Sequence, residues 1–236
     1  MDNMLDIFLN YRDLILTGSY PDGPLGGLAL TLFVAATGLV CAFPLAIIIG
    51  IARTSKFKLF YLPATLFSSV VRGLPVLMLV FWSYFAVPLI SGHSISGVKT
   101  LIVALIIYEV AFLGEIVRAG ILSVPRGQVE AARTLGISYS RTMLEIILPQ
   151  ALFTMIPSIL NQFINLIKNT SLGYVIGVAE LTYSAYQINT LELTKPLQVF
   201  GVLAMIYFGV CFSLTQLVGK LERVIRRKRQ MNAQES

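Results

Sequence analysis

The amino-acid sequence predicts an all-α integral membrane protein with five transmembrane helices, on three observations. Of its 236 residues 13% are charged and 56% hydrophobic, with a mean hydropathy of +0.78, whereas a soluble domain carries about 25% charged residues. Apolar runs long enough to cross a hydrocarbon core of about 30 Å as helix recur along the chain. Basic residues concentrate in alternate connectors, a pattern that orients membrane spans. The net charge of +6 therefore collects at the ends of apolar runs and not on a polar face, which speaks against a nucleic-acid partner.

Residues 1–24 read as an extracytoplasmic N-terminal segment. Asp2, Asp6, Asp13 and Asp22 stand against Arg12 where a cleavable signal would be basic, so no such signal is expected. Leu5, Ile7, Phe8, Leu9 and Leu14 fit a short amphipathic helix lying on the membrane surface, closed by the turn residues of 19–24. The transmembrane domain then occupies 25–219, and its first span, 25–52, carries no charge. Pro44 and the glycines of this span indicate a kink or close helix packing. Cys41 and Cys211 lie in apolar runs and read as small buried hydrophobes, not as a disulfide or metal site.

Arg53, Lys56 and Lys58 make a basic connector on the cytoplasmic side. A continuous helix over 57–90 would be roughly 51 Å long, more than one crossing needs. Arg72-Gly73-Leu74-Pro75 divides it, so 58–71 is expected to lie near the interface or enter obliquely, with the crossing proper at 74–90. Two short crossings with Arg72 in a tight outer turn are the alternative. The loop 91–100 holds His93, the single histidine, which reads as a loop residue; pH sensing or metal binding is the competing role.

The third span, 101–119, contains Glu109, Glu115 and Arg118. Ionisable groups at such depth face a bundle interior, a cavity or a partner. Glu115 and Arg118 are three apart on one helical face and are placed to pair. Glu109 lies deeper, and two readings stand: a polar lining of a translocation path, or a buried interhelical hydrogen bond.

The fourth span, 151–172, carries Asn161, Gln162, Asn165, Lys168 and Asn169 at helical spacing, a polar stripe that must face protein or water. Lys168 either snorkels to the interface or serves gating or substrate passage. Within 173–196, residues 175–186 fit a short re-entrant or interfacial helix. The fifth span is 197–218. The tail, 220–236, holds Lys220, Arg223, Arg226, Arg227, Lys228 and Arg229, a cytoplasmic anchor to anionic lipid. With five spans, the outer segments hold only Arg12, Lys99 and Lys195, against the three basic inner segments; the N-terminus is outside and the C-terminus inside.

Between the third and fourth spans, 121–149 is polar and carries Arg126, Arg133 and Arg141. Within it stand Glu130, Ala131 and Ala132, then three residues, Gly136, nine residues, Ile146, one residue, Leu148 and Pro149. Glu130, Ala131, Ala132 and Leu135 fall within about two helical turns, and the alanines let a partner's backbone come close. Gly136 is suited to the left-handed conformation that ends a helix. Ser138 or Ser140 is placed to cap the next one, and Pro149 limits or kinks the helix at that point. An ordinary amphipathic linker ending in glycine is the plainer alternative.

At every fixed position this spacing resembles the EAA loop of binding-protein-dependent ABC importers. Gly27-Leu28-x-x-Thr31-Leu32, Arg72-Gly73-Leu74-Pro75, Glu115 to Ile121 and Lys168 to Leu172 resemble elements of that superfamily's polar-amino-acid branch, with Leu74 replacing a small hydroxyl residue. The resemblance implies a type I ABC importer permease fold in a bacterial cytoplasmic (inner) membrane. It assigns ATPase coupling to Glu130, Ala131, Ala132, Leu135 and Gly136, supported by Glu115 and Arg118. With the deep Glu109 and the polar stripe, a transport function makes Glu109, Asn165, Lys168 and Asn169 candidate path residues for a polar amino acid. The resemblance also implies a second permease subunit, identical or different, two ABC ATPase subunits and an extracytoplasmic solute-binding protein. No G-x-x-x-x-G-K-[ST] phosphate loop occurs, so the chain is expected to bind no cofactor and not to be an enzyme, ATP and Mg residing on the partner ATPase. A secondary transporter or channel without an ATPase is the competing class. It would predict internally repeated halves and paired broken helices. A non-transporting scaffold would leave the deep polar residues unexplained.

Overall fold

The structure, a computed structural model, describes residues 2–93 and 96–234. Its helices are α1 (Asp2–Asn10), α2 (Arg12–Leu16), α3 (Gly27–Ala52), α4 (Lys58–Gly73), α5 (Val76–Ser91), α6 (Gly97–Ser123), α7 (Arg126–Thr134), α8 (Tyr139–Arg141), α9 (Leu148–Asn169), α10 (Leu181–Leu191) and α11 (Pro196–Gln234). A π-helical segment, Thr142–Ile147, joins α8 to α9, and a 3₁₀ segment, Thr170–Ile176, comes after α9.

Among the described residues four helical stretches are long and apolar enough to cross a membrane: Gly27–Ala52, Gly97–Ser123, Tyr139–Ile176 and Pro196–Ile225. The pair α4 and α5 passes the same test only together, as one bent span, giving five. The break has a local cause. Pro75 disfavours helical backbone at the residue before it and starts α5 from an extended conformation (φ −60°, ψ 131°). Ala64, Ser68 and Val71 form the buried face of α4, while Leu59, Leu62, Leu66 and Val70 form an exposed apolar one.

The chain packs as two compact units. The first comprises the described residues of 1–40, 74–108 and 163–215. Leu30, Val34, Val80, Leu101, Leu105, Leu166 and Ile167 make one of its cores. Ile7 and Ile15 join Leu181, Ala185, Ile188, Val199 and Val202 in another. The N-terminal helix thus differs from the surface-lying helix expected of it: its Ile7 face packs on α10 and α11, and Leu5 and Leu9 remain exposed. Tyr11 adds a hydrogen bond to Glu192 (3.2 Å), which also pairs with Lys195 at 2.9 Å. The Lys195 hydrogen bond holds the Glu192 carboxyl below its ordinary value.

The Gly27 to Leu32 element has a structural office in this unit. The Gly27 amide donates to Ala179 (3.0 Å), and buried Thr31 accepts from the amide of Leu181 through Oγ1 (3.1 Å). Fully buried Glu180 caps α10 by accepting from the amides of Thr182 and Tyr183, at 2.9 and 3.0 Å, and Tyr207 donates to it. α10 therefore begins at Leu181, later than the 175–186 expected from apolarity, because the strong cap sits at 180.

The second unit comprises the described residues of 41–73, 109–162 and 216–236. Val117, Ile121, Met143, Ile147, Ala151 and Met155 form its core. Close approach supports it: a methyl on Gly114 would lie 2.9 Å from Ile49, and one on Gly50 would strike Val117.

Two boundary expectations change here. Helical backbone runs without interruption from Tyr139 into the fourth span. Pro149 does not stop it. The wider i→i+5 turns of Thr142–Ile147 lie just ahead of the proline, where its missing N–H and ring would disturb an α-helical ladder. Ser138 occupies the N-cap position of α8, but its side chain makes no capping hydrogen bond; its carbonyl accepts from Thr142 instead. Cys41 is exposed on α3, against the burial expected from its apolar run. The side chains of Arg226, Arg227, Lys228 and Arg229 lie outside the described residues.

Candidate functional site

The coupling candidates sit on a helix held by its inner face. Ala132 is 2% exposed, and Val129 packs against the core of Val117, Ile121 and Met143. Gln150 ties the loop to the fourth span by donating to Gln128 at 2.6 Å. Glu130, Ala131 and Gly136 are exposed, and Leu135 is 77% exposed. The helix is thus anchored by one face and leaves Leu135 uncovered on the other.

Gly136 ends that helix in the left-handed region, φ +72°. The turn is closed by hydrogen bonds from the Ile137 amide to Ala132 (3.0 Å) and from the Gly136 amide to Arg133 (3.0 Å). The first spans six residues, as in a Schellman closure. Tyr139 and Leu144 extend the exposed apolar surface beyond the turn.

The same unit carries a charged cluster larger than the pair read from the sequence. Glu115 and Arg118 on α6 pair at 2.5 Å, as their spacing implies. Arg53 from the end of α3 reaches the other carboxylate oxygen at 2.5 Å, and Arg72 from the end of α4 approaches it at 3.3 Å. Three guanidinium groups thus face one carboxylate, and Arg72 also lies over the Phe112 ring, 5.5 Å from its centroid. Arg53 and Arg72 were legible as a topology signal and a helix divider, but nothing in the linear order brings them to Glu115. An open cleft of about 390 Å³ adjoins, lined by Glu115, Gly120, Ser123, Thr154, Met155 and Ser158.

The path candidates divide. Glu109 is fully buried and accepts a hydrogen bond from Gln162 at 3.2 Å, the interhelical contact that was one of its two readings. Its Oε2 makes no hydrogen bond among the described residues. Asn165 and Lys168 are exposed on α9, and Asn169 is partly so. Among the described residues no group of His, Cys, Asp and Glu side chains is arranged to hold a metal.

Comparison with known proteins gives a consistent set of relatives. Residues 42–226 match the family described as "Binding-protein-dependent transport system inner membrane component". A probable glutamine ABC transporter permease protein of Bacillus subtilis (strain 168) is 37% identical over 198 residues, 83% of this chain and 90% of that protein. An arginine transport system permease protein of the same organism is 33% identical over 204 residues, 86% and 92% of the two chains. Among solved structures, an amino acid ABC transporter with histidines superposes with a TM-score of 0.81 at 29% identity, covering 93% of this chain and 97% of that one. The inward-facing MetNI methionine ABC transporter superposes at 0.64 with 20% identity, covering 94% and 99%.

Proposed function

The chain belongs to the family of binding-protein-dependent transport system inner membrane components, and from that premise we propose that its 121–149 loop receives the drive for transport from a separate ATPase. The chain is an amino-acid ABC permease subunit with the type I importer fold, a multi-pass protein of the inner membrane and not itself an enzyme. ATP hydrolysis takes place on a partner subunit, which would carry the ATP and Mg.

The observation that carries the coupling reading is the exposed Glu130, Ala131, Leu135 and Gly136 surface on a helix whose Ala132 face is anchored. ATP-driven closure of the ATPase pair would move α7. Because helical backbone is continuous from Tyr139 to Ile176, a push there is carried into the fourth span as a rigid-body motion.

Asn165 and Lys168, exposed on that span, would face a second permease subunit or the water-filled path, since lipid offers them no partner. Asn169 would join them; Glu109 fits a supporting role through Gln162. The substrate is a polar amino acid, a class to which the glutamine and arginine named for the relatives belong. An extracytoplasmic binding protein would deliver it. The N-terminus lies outside and the C-terminus inside, with 1–24 extracytoplasmic, 25–219 in the membrane domain and 220–236 a basic cytoplasmic tail.

Reconstitution tests this. The permease complex is assembled with its ATPase in proteoliposomes, and wild type is compared with Glu130→Ala and Leu135→Glu for ATPase retention and ATP-dependent uptake. Loss of retention and uptake in Leu135→Glu, with the membrane part still folded, is expected. Full assembly and normal uptake in both variants refute the coupling surface. The amino acid that raises the melting temperature of the cognate binding protein identifies the substrate.

A further inference from the structure

We propose that Arg72, with Arg53 and Arg118, forms a binding site for the phosphate of an anionic phospholipid headgroup. Charge is the first ground. Among the described residues Glu115 is the one acidic side chain within 4.0 Å of the three guanidinium groups, which leaves two positive charges unbalanced. A charge surplus of that kind, half-withdrawn from water, favours an anionic partner.

Hydrogen bonding is the second. The Glu115 carboxylate is already occupied: Oε1 accepts from Arg118 Nε and NH2, and Oε2 from Arg53 NH1 and more weakly from Arg118 Nε. Arg72 contacts Oε2 only as a 3.3 Å ion pair, and its guanidinium makes no hydrogen bond to protein among the described residues. Its planar fork therefore offers N–H donors in the geometry that grips two oxygens of a phosphate. The side chain is 39% exposed, so these donors are reachable, and the 5.5 Å stack on Phe112 holds the guanidinium in place.

The apolar surroundings select lipid over a free anion. Leu59, Leu62, Leu66 and Val70, the exposed stripe of α4, run along the helix that ends in Arg72 and Gly73. Spaced three or four residues apart, they lie on one face about 16 Å long, the length of a good part of an acyl chain. The exposed stripe sets α4 against lipid, so a headgroup is the anion nearest to Arg72. Val70 and Arg72, two residues apart, lie on different sides of the helix, and the specific contact is the headgroup phosphate with the guanidinium alone. The site joins the ends of α3 and α4 to α6 within one unit, so its occupant would stiffen the region that carries Glu115.

Native mass spectrometry of the purified permease–ATPase complex tests the site. The complex is taken from nanodiscs containing phosphatidylglycerol and phosphatidylethanolamine, and wild type is compared with Arg72→Gln, Arg72→Lys and Lys58→Gln. One guanidinium contact at a membrane surface corresponds to about a five-fold change in lipid affinity. Retained phosphatidylglycerol is therefore expected to fall about five-fold in Arg72→Gln, to fall less in Arg72→Lys, and to be unchanged in Lys58→Gln. Phosphatidylethanolamine should not respond. Equal phosphatidylglycerol retention in wild type and Arg72→Gln overturns the site, and an equal fall in Lys58→Gln reduces it to diffuse attraction. A second arm adds inorganic phosphate in lipid-free detergent. Arg72-dependent protection by phosphate alone, with no Arg72-dependent lipid retention, refutes the lipid as occupant.

Discussion

Gly136→Ala isolates backbone strain at the coupling turn. A methyl group there would meet nothing within 4 Å, so no steric clash contributes. The φ of +72° is the whole cost, and left-handed backbone disfavours a non-glycine residue by roughly 1–2 kcal/mol. Alanine also restricts the unfolded chain, which returns about 0.4–1 kcal/mol, so the net cost is about 1 kcal/mol. Relaxing the turn would break the Ile137 to Ala132 hydrogen bond and swing Leu135 relative to Tyr139. At about 1.4 kcal/mol per factor of ten, the docking-competent loop falls roughly five-fold. The assay is a titration of the reconstituted permease with its ATPase, reading the concentration at which the complex half-assembles. Gly136→Ala should raise that concentration about five-fold, and Gly136→Asn should raise it less, because asparagine tolerates left-handed backbone better. If alanine equals glycine while asparagine is the weaker binder, turn strain does not govern docking and the reasoning fails.

Two further perturbations probe the charged groups. Glu115→Gln leaves three guanidinium groups without their carboxylate, and breaking a buried pair costs about 3–5 kcal/mol; with Glu115 itself 24% exposed, about 2 kcal/mol is expected, read as a melting-temperature drop of several degrees in the assembled complex. An unchanged melting temperature would show that the cluster contributes nothing to holding α3, α4 and α6. At the N-terminal segment, Glu192 has a folded-state pKa below its unfolded one because Lys195 donates to it, so its contribution is present above the unfolded carboxylate range and is lost as pH falls through the folded value. Proteolysis of α1 and α2 should accelerate on acidification below that range, and Glu192→Gln should be fast at every pH; an acid response that survives in Glu192→Gln excludes this carboxylate as its origin.

The membrane spans were legible because lipid imposes a rule that acts residue by residue: long uncharged runs become helices, and basic connectors mark the inner side. The helix ending at Gly136 was legible too, since the glycine and the small residues before it carry local information. Sequence periodicity also placed Glu115 beside Arg118 on one face. What it missed at that site is instructive. Arg53 and Arg72 stand 62 and 43 positions from Glu115 in the chain, and their meeting depends on how three helix ends pack. The fate of Pro149 was hidden for a related reason: a proline disrupts an α-helix, but a π-helical stretch ahead of it changes the hydrogen-bond register that the proline would break.

Composition, periodicity and charge order by themselves thus determined an all-helical membrane protein of five spans with a polar loop between the third and fourth, because each of those properties follows from the free energy of single residues or near neighbours in lipid and water. Only the tertiary structure decided that Ile7 and Ile15 bury against α10 and α11, that Thr31 and Glu180 organise the start of α10, and that one carboxylate gathers three arginines. Those outcomes rest on contacts between residues far apart in sequence. Their energies exist only once the helices have been brought together.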